Sequence, residues 1–257
     1  MKFLLKIILG FIIVVVAIIT MIFMQTKGMP DAADEFLNAV KLSNTDNANS
    51  FLSQHIKDNP VNLYLYLKNN SFDKVKGTSW SSRAFVNNNG NISGVVTISN
   101  GANINTRMTF IKEDGSWKIY SIQKLTTKDL TKAEEPKLTI QKKLVKNAMA
   151  TFLLSAREKS MSRFYQGLSG IWKNQVTIQK LDDIFGSIYK FKGDLRFLDN
   201  VDPVIESHSI SKDGILIVAG MFPTNQVTIY FTQKYIYEGV QWKLFGFDYS
   251  NKKPSIQ

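Results

Sequence analysis

The sequence predicts an α+β chain in which one unit, helices followed by an antiparallel sheet, occurs twice behind an N-terminal membrane helix. Three observations predict it. The phrase EDGSWKIYSI, residues 113–122, returns about 125 residues later as YEGVQWKLFGF, residues 237–247, with Trp117 and Trp242 in equivalent places. In each half, segments with helical spacing come first and segments with strand alternation last, the order of α+β rather than doubly wound α/β folds. The first 27 residues hold a nearly unbroken apolar run. A repeat of this length, present only twice, is a domain duplication and not a solenoid.

The apolar run comes first in the chain. Residues 7–24 contain Thr20 as their one clearly polar residue. These 18 residues, at about 1.5 Å of rise each, nearly span a bilayer core of roughly 30 Å. Lys2 and Lys6 precede the run, and no acid occurs before Asp31. This bias leaves residues 1–6 in the cytoplasm and exports the chain beyond the run. A cleaved signal would need a shorter apolar core and small residues at the cut. Ile22, Phe23 and Met24 are bulky instead, so an uncleaved single-pass anchor at 7–24 is expected.

The first helix of each half comes next. In PDAADEFLNAVKLSN, Asp31 is placed to cap, and Ala33, Phe36, Leu37 and Val40 form an apolar stripe. In IQKKLVKNAMATFLLSAREKS the stripe is Leu144, Ala148, Phe152 and Ala156. ANSFLSQHI and MSRFYQGLS read as short second helices, with Phe51 matching Phe164. In TIQKLDDIFGSIYKF, Thr177 caps a third helix with Leu181, Ile184, Phe185 and Ile188 inward. PVNLYLYLKNN fits helix or strand, and analogy with the second half makes it a helix.

The strands close each half. GNISGVVTISNG and KDGILIVAGMF each precede a hairpin. One hairpin turns at Asp114-Gly115, a pair that takes positive φ, and the other at Glu238-Gly239. Alternation puts Trp117, Ile119 and Ser121 on one face, with Lys118, Tyr120 and Ile122 on the other. Gly246 and Ser121 share a small position where the sheet bends or another element packs closely. The expected organisation is a first domain at 28–126, a polar linker at 127–137 and a second domain at 138–252.

These features, FLxA in the first helix, LxxIFGSIYK in the third and the closing GxWK(I/L) hairpin, resemble the nuclear-transport-factor-two-like superfamily, also called cystatin-like. The ending is similar to that of short bacterial envelope members. The resemblance implies helices packed on a strongly curved antiparallel sheet, twice over, and no particular activity, because that fold hosts enzymes, ligand binders and scaffolds. A short cytoplasmic tail, one membrane helix and such domains outside also resemble the bitopic scaffold subunits of type IV secretion and conjugation machines.

Composition removes several functions. With no cysteine, disulfides, thiol catalysis and zinc knuckles are excluded. Lys2, Lys6 and Lys27 carry three of the net +11, leaving +8 on residues 28–257. The basic residues are scattered and follow no nucleic-acid motif, so no nucleic-acid partner is expected. There is no phosphate loop, nucleophile elbow or paired-histidine motif, and no cofactor is expected.

The candidate site residues are few. Trp117, Tyr120, Phe152 and Trp242 are candidates to line an apolar pocket in a cone, although plain core suits such aromatics as well. Asp199, Asp202, Glu206 and His208 fall within ten residues and offer metal-type ligands, although their spacing lacks the regular acids and glycine of a calcium loop. The other histidine, His55, is expected to be exposed or capping.

The function expected from this architecture is non-enzymatic. It is a membrane-anchored protein of a bacterial envelope that binds other envelope or secretion-apparatus proteins as a scaffold, with self-association left open. A small apolar ligand-binding or hydrolytic module is one alternative, and a tether to an anionic envelope polymer is another. The full chain should remain with membranes after a high-salt wash. Residues 28–257 secreted behind a cleavable leader should fractionate as soluble protein.

Overall fold

The computed structural model of the chain describes residues 26–57, 60–86, 88–126, 134–189, 198–211, 213–225 and 227–253. The apolar run at 7–24 lies outside them. Among the described residues no helix is long and apolar enough to cross a membrane. The chain divides into two units, Met1–Lys132 and Ala133–Gln257.

In the first unit, helix α1 (Gly28–Lys41) buries Ala33, Phe36, Leu37 and Val40, the stripe expected from their spacing. Asp31 does not cap it. The helix already starts at Gly28, so Asp31 lies in the first turn, where its charge complements the positive end of the helix dipole. Helix α2 (Thr45–Ser50) is capped by Asn44, whose side chain accepts from the Asn47 amide at 3.1 Å. Helices α3 (Gln54–Lys57) and α4 (Pro60–Asn69) follow. The ambiguous PVNLYLYLKNN is therefore a helix, with Leu63 and Leu67 buried and Pro60 at the start, where a missing N–H costs nothing. A 3₁₀ turn at Phe72–Lys74 leads into β1 (Val75–Val86), β2 (Asn89–Ile98), β3 (Asn103–Glu113) and β4 (Ser116–Lys124), an antiparallel sheet in that order.

The second unit repeats this plan with α5 (Leu138–Glu158), α6 (Ser162–Gly167), α7 (Gly170–Lys173) and α8 (Ile178–Tyr189). A sheet of β5 (Val204–Ile210), β6 (Leu216–Phe222), β7 (Ile229–Glu238) and β8 (Gln241–Ser250) follows, again antiparallel in chain order. The architecture is thus α+β, with two four-stranded antiparallel sheets, each preceded by its helices. Thr177 caps α8 as expected, accepting from the Lys180 amide at 3.1 Å.

The duplication extends to irregularities. In β3–β4 the pairing passes from Thr109↔Ser121 to Phe110↔Ile119, leaving Tyr120 as an extra residue. In β7–β8 it passes from Lys234↔Gly246 to Tyr235↔Leu244, leaving Phe245. This bulge corrects the alternation expected for β4, because Ile119, Tyr120, Ser121 and Ile122 are all buried. Ser121 and Gly246 do correspond. A Cβ on Gly246 would meet nothing nearer than 3.9 Å, so close packing does not explain the glycine, which lies beside the register shift. Close packing does govern Gly94 and Gly220, which pair with Trp80 and Ile205 just before a shift in the first two strands. A Cβ there would lie 2.1 Å from the Ser79 oxygen and 2.0 Å from the Val204 oxygen.

The two closing turns differ. Asp114 and Gly115 both have positive φ, the type I′ pattern. In the second hairpin Glu238 pairs with Gln241, so the turn is Gly239-Val240 and Glu238 belongs to the strand, as Glu113 does in the first.

That placement shows what the repeated acid does. Each unit makes a one-residue parallel bridge from the helical layer to its last strand, Leu52↔Ile119 and Leu168↔Leu244. The Ser53 and Ser169 amides donate to Ile119 and Leu244 at 3.0 and 2.8 Å. Immediately beyond, the Gln54 amide donates to Glu113 at 3.2 Å, and the Gly170 amide to Glu238 at 2.6 Å. The acids satisfy amides at helix starts that have no partner within their own helix.

These bridges also correct one expectation about the helices, and burial corrects two more. They align Gly167, not Phe164, with Phe51. In α5 the buried stripe is Val145, Met149, Phe152, Leu153 and Ala156, whereas Leu144 and Ala148 are only half-buried. On α8, Leu181 is buried but Ile184 is 55% exposed, because it lies at the margin of an apolar arc wider than the contact.

Glu238 is buried, and Glu113 makes its bond in solvent. Urea unfolding should therefore show Glu238→Ala costing the second unit about 1–3 kcal/mol, with a smaller loss for Glu113→Ala in the first.

Candidate functional site

Two concave features mark the second unit. In the larger, Met149, Phe152 and Leu153 of α5, Ser187 and Ile188 of α8, Leu198, Ile229 of β7 and Tyr249 of β8 line a cleft of about 370 Å³. Phe152 and Tyr249 give it one aromatic wall, the rest of the lining being aliphatic apart from Ser187. Phe152 meets Phe164, Phe185 and Phe247 at ring-centre separations of 5.4, 5.2 and 5.5 Å. Phe247 stacks on Phe185 at 5.6 Å and lies 4.9 Å from Tyr249. Edge-to-face and offset contacts of this kind suit the ring quadrupoles.

Residue differences between the copies accompany this cleft. At the turn before the first strand, the first unit has Phe72 and the second the smaller Leu198. α4 buries both Leu63 and Leu67, while α8 buries only Leu181.

A short polar chain runs beside the aromatic wall. The Tyr235 hydroxyl donates to Gln233, whose amide donates to the Tyr249 hydroxyl at 2.7 Å. Burial pushes the phenols of Tyr235 and Tyr249 above their ordinary range, so both stay protonated. Tyr189 is pushed the same way by burial and by Asp182, to which it donates at 2.5 Å. The bulge registers put Met108, Phe110 and Lys124 at the places of Gln233, Tyr235 and Tyr249, so the first unit has no such chain. Sequence reasoning missed these residues. The available signal was a glutamine on the otherwise apolar face of a strand.

The four aromatic candidates are not brought to one site. Trp117 and Tyr120 are buried in the first unit. Trp117 stands edge-on to Phe85 at 6.2 Å, and Tyr120 edge-on to half-buried His55 at 6.1 Å. Phe152 lines the cleft of the second unit. Trp242 instead lines a separate groove in that unit, against α5 and the end of α6.

The four polar candidates each take a different partner. Asp199 accepts from Arg157 at 2.5 Å, Asp202 from Lys146 at 2.6 Å and Glu206 from Lys253 at 3.1 Å. His208 pairs through Nδ1 with Glu135. The hydrogen bond and charge of Lys146 hold the Asp202 carboxyl below its usual range. Among the described residues no three His, Asp or Glu side chains are placed to hold a metal ion.

No family profile and no curated protein matches the chain. It is similar to a solved structure described as "Ntf2 like protein involved in plasmid conjugation", at 12% identity over 80% of this chain and 94% of that one, with a TM-score of 0.24.

The raised phenols give the second unit a pH dependence. Once unfolded, Tyr189, Tyr235 and Tyr249 would release protons near pH 10, whereas the folded unit keeps them bound. Unfolding therefore gains on folding as pH rises. Urea titrations should show the second unit holding its stability below pH 10 and losing it progressively above, and a Tyr249→Phe variant should lose less.

Proposed function

We propose that the chain is a membrane-anchored envelope protein, with two cystatin-like domains outside the membrane, that binds other proteins as a scaffold of an assembly such as a secretion or conjugation apparatus. The observation that carries this reading is β5. Among the described residues it pairs with β6 on one side and with no strand on the other, and none of its seven residues is fully buried. Val204 at its start is 42% exposed. Ile205 and Ile210 pack on the core of the unit, and the free edge of the strand offers backbone amides and carbonyls to which a partner strand can add. Glu206 and His208, held by Lys253 and Glu135, place charge along this strand, a known restraint on indiscriminate pairing. β1 is also an edge, but Asp34 of α1 accepts from its Thr78 and Trp80 side chains, which ties a helix against it.

The cleft of the second unit favours a second reading. Its volume falls within the range of small-molecule sites and is more than twice that of the roughly 150 Å³ apolar cavities that take up benzene. In this reading the second unit holds a small apolar molecule and the first does not.

Both readings can be checked. Full-length tagged protein purified in mild detergent from its own cell should bring down stoichiometric envelope proteins. They should be lost when residues 1–27 are replaced by a cleavable leader, and reduced about tenfold by Val204→Lys with Ser209→Lys. A clean monomer overturns the scaffold. For the cleft, an apolar ligand at a hundred times its Kd should stabilise the second unit by about 2.7 kcal/mol, and Leu198→Phe should abolish the effect.

A further inference from the structure

Resting on the protein-binding reading, we infer that the groove beside Trp242 receives an aromatic side chain from a protein partner. The two bridges fix which residues correspond. With Leu52 and Leu168 each bonded to the last strand, the residue before each is Phe51 in the first unit and Gly167 in the second. The glycine is not required by the backbone. It lacks positive φ, and an added Cβ would meet nothing within 4 Å. Gly167 borders a groove of about 220 Å³ that also touches Leu144, Ala148 and Trp242.

The duplicate supplies the chemistry of the occupant. Where the first unit carries half-buried Phe51, the second carries only a hydrogen. The space left is open to solvent at Asn147 and Gln241, both exposed, which line its rim. Trp242 is half-buried and stands edge-on to Tyr237 at 5.3 Å. Apolar Leu144, Ala148 and Leu168 share the groove with polar Asn147, Thr151, Gln241 and Lys243, and aromatic side chains, amphipathic in the case of indole, are among the residues that dominate interface anchor points. A partner inserting a phenyl or indole ring would supply in trans the side chain that the first unit carries in cis.

The test uses the full chain in its own cell, with a photo-crosslinking residue at Gln241 and, separately, at Ser209 on β5. The expected result is a crosslinked protein from Gln241 whose yield falls about tenfold or more in Gly167→Phe. It should also fall in Asn147→Phe, an exposed position that does not disturb the core, and it should persist in Gly167→Ala. Crosslinking undiminished by both phenylalanines overturns the proposal. Crosslinks from Ser209 without any from Gln241 overturn the groove and leave the protein-binding reading standing, whereas none from either overturns both. In vitro, N-acetylphenylalaninamide should shift the Trp242 indole N–H resonance of the full chain in micelles, and Gly167→Phe should abolish the shift. Equal shifts with N-acetylalaninamide overturn the aromatic preference.

Discussion

Each unit depends on how its helices are tied to the last strand of its sheet. A parallel bridge one residue long does this, Leu52 to Ile119 and Leu168 to Leu244, followed at once by an acid that accepts from the next amide. A short helix such as α3 or α7 is not stable in isolation, because nucleation consumes most of its hydrogen bonds. Docked at a fixed register against a sheet, it no longer needs to be. The bridge sets the depth at which the helical layer sits, and the acid stops it from rotating. The tryptophan of the same hairpin then falls over the first helix of its own unit: a Cβ on Gly28 would lie 3.4 Å from Trp117, and Leu144 shares a groove with Trp242.

Much of this is legible in the sequence because the duplication doubles each signal. The order of helices and strands and the small position shared by Ser121 and Gly246 can be read from pattern alone. The helical state of PVNLYLYLKNN follows only from analogy with the second half. Register escapes such a reading. Alternation puts Tyr120 on the face opposite Ile119 because it assumes an unbroken ladder, and a bulge inserts a residue that no periodicity announces. Phe164 pairs with Phe51 on paper because apolar residues attract apolar matches, whereas a backbone bridge sets the true correspondence and puts a glycine there. Ile184 points inward on a helical wheel because the pattern gives the width of an apolar arc and not how much of it a neighbour covers. Of the aromatic candidates Phe152 and Trp242 line concavities while Trp117 and Tyr120 are buried, since a side chain facing a core and one facing a cleft have the same spacing.

The copies share a backbone plan and differ in how they fill it. The first unit has Phe51, Phe72, Met108 and Phe110 where the second has Gly167, Leu198, Gln233 and Tyr235. Both substitutions toward smaller residues border a concavity, and both toward polar ones join the chain that ends at Tyr249. A packed core loses stability when it gives up contacts in this way. The differences thus fall where the described residues of the second unit form its cleft and groove.

Two copies of one plan also pose a hazard during synthesis. The closing hairpin of either unit carries the acid, the tryptophan and the bulge needed to dock on the helices of the other, and such exchange is a characteristic failure of repeated domains. Divergence at the contact opposes it. The β7–β8 hairpin delivered to the first unit would bring Gln233, Tyr235 and Tyr249 to the places of Met108, Phe110 and Lys124, and the β3–β4 hairpin would make the reverse exchange in the second. The buried polar chain of the second unit is therefore also a mark that distinguishes its hairpin from that of the first.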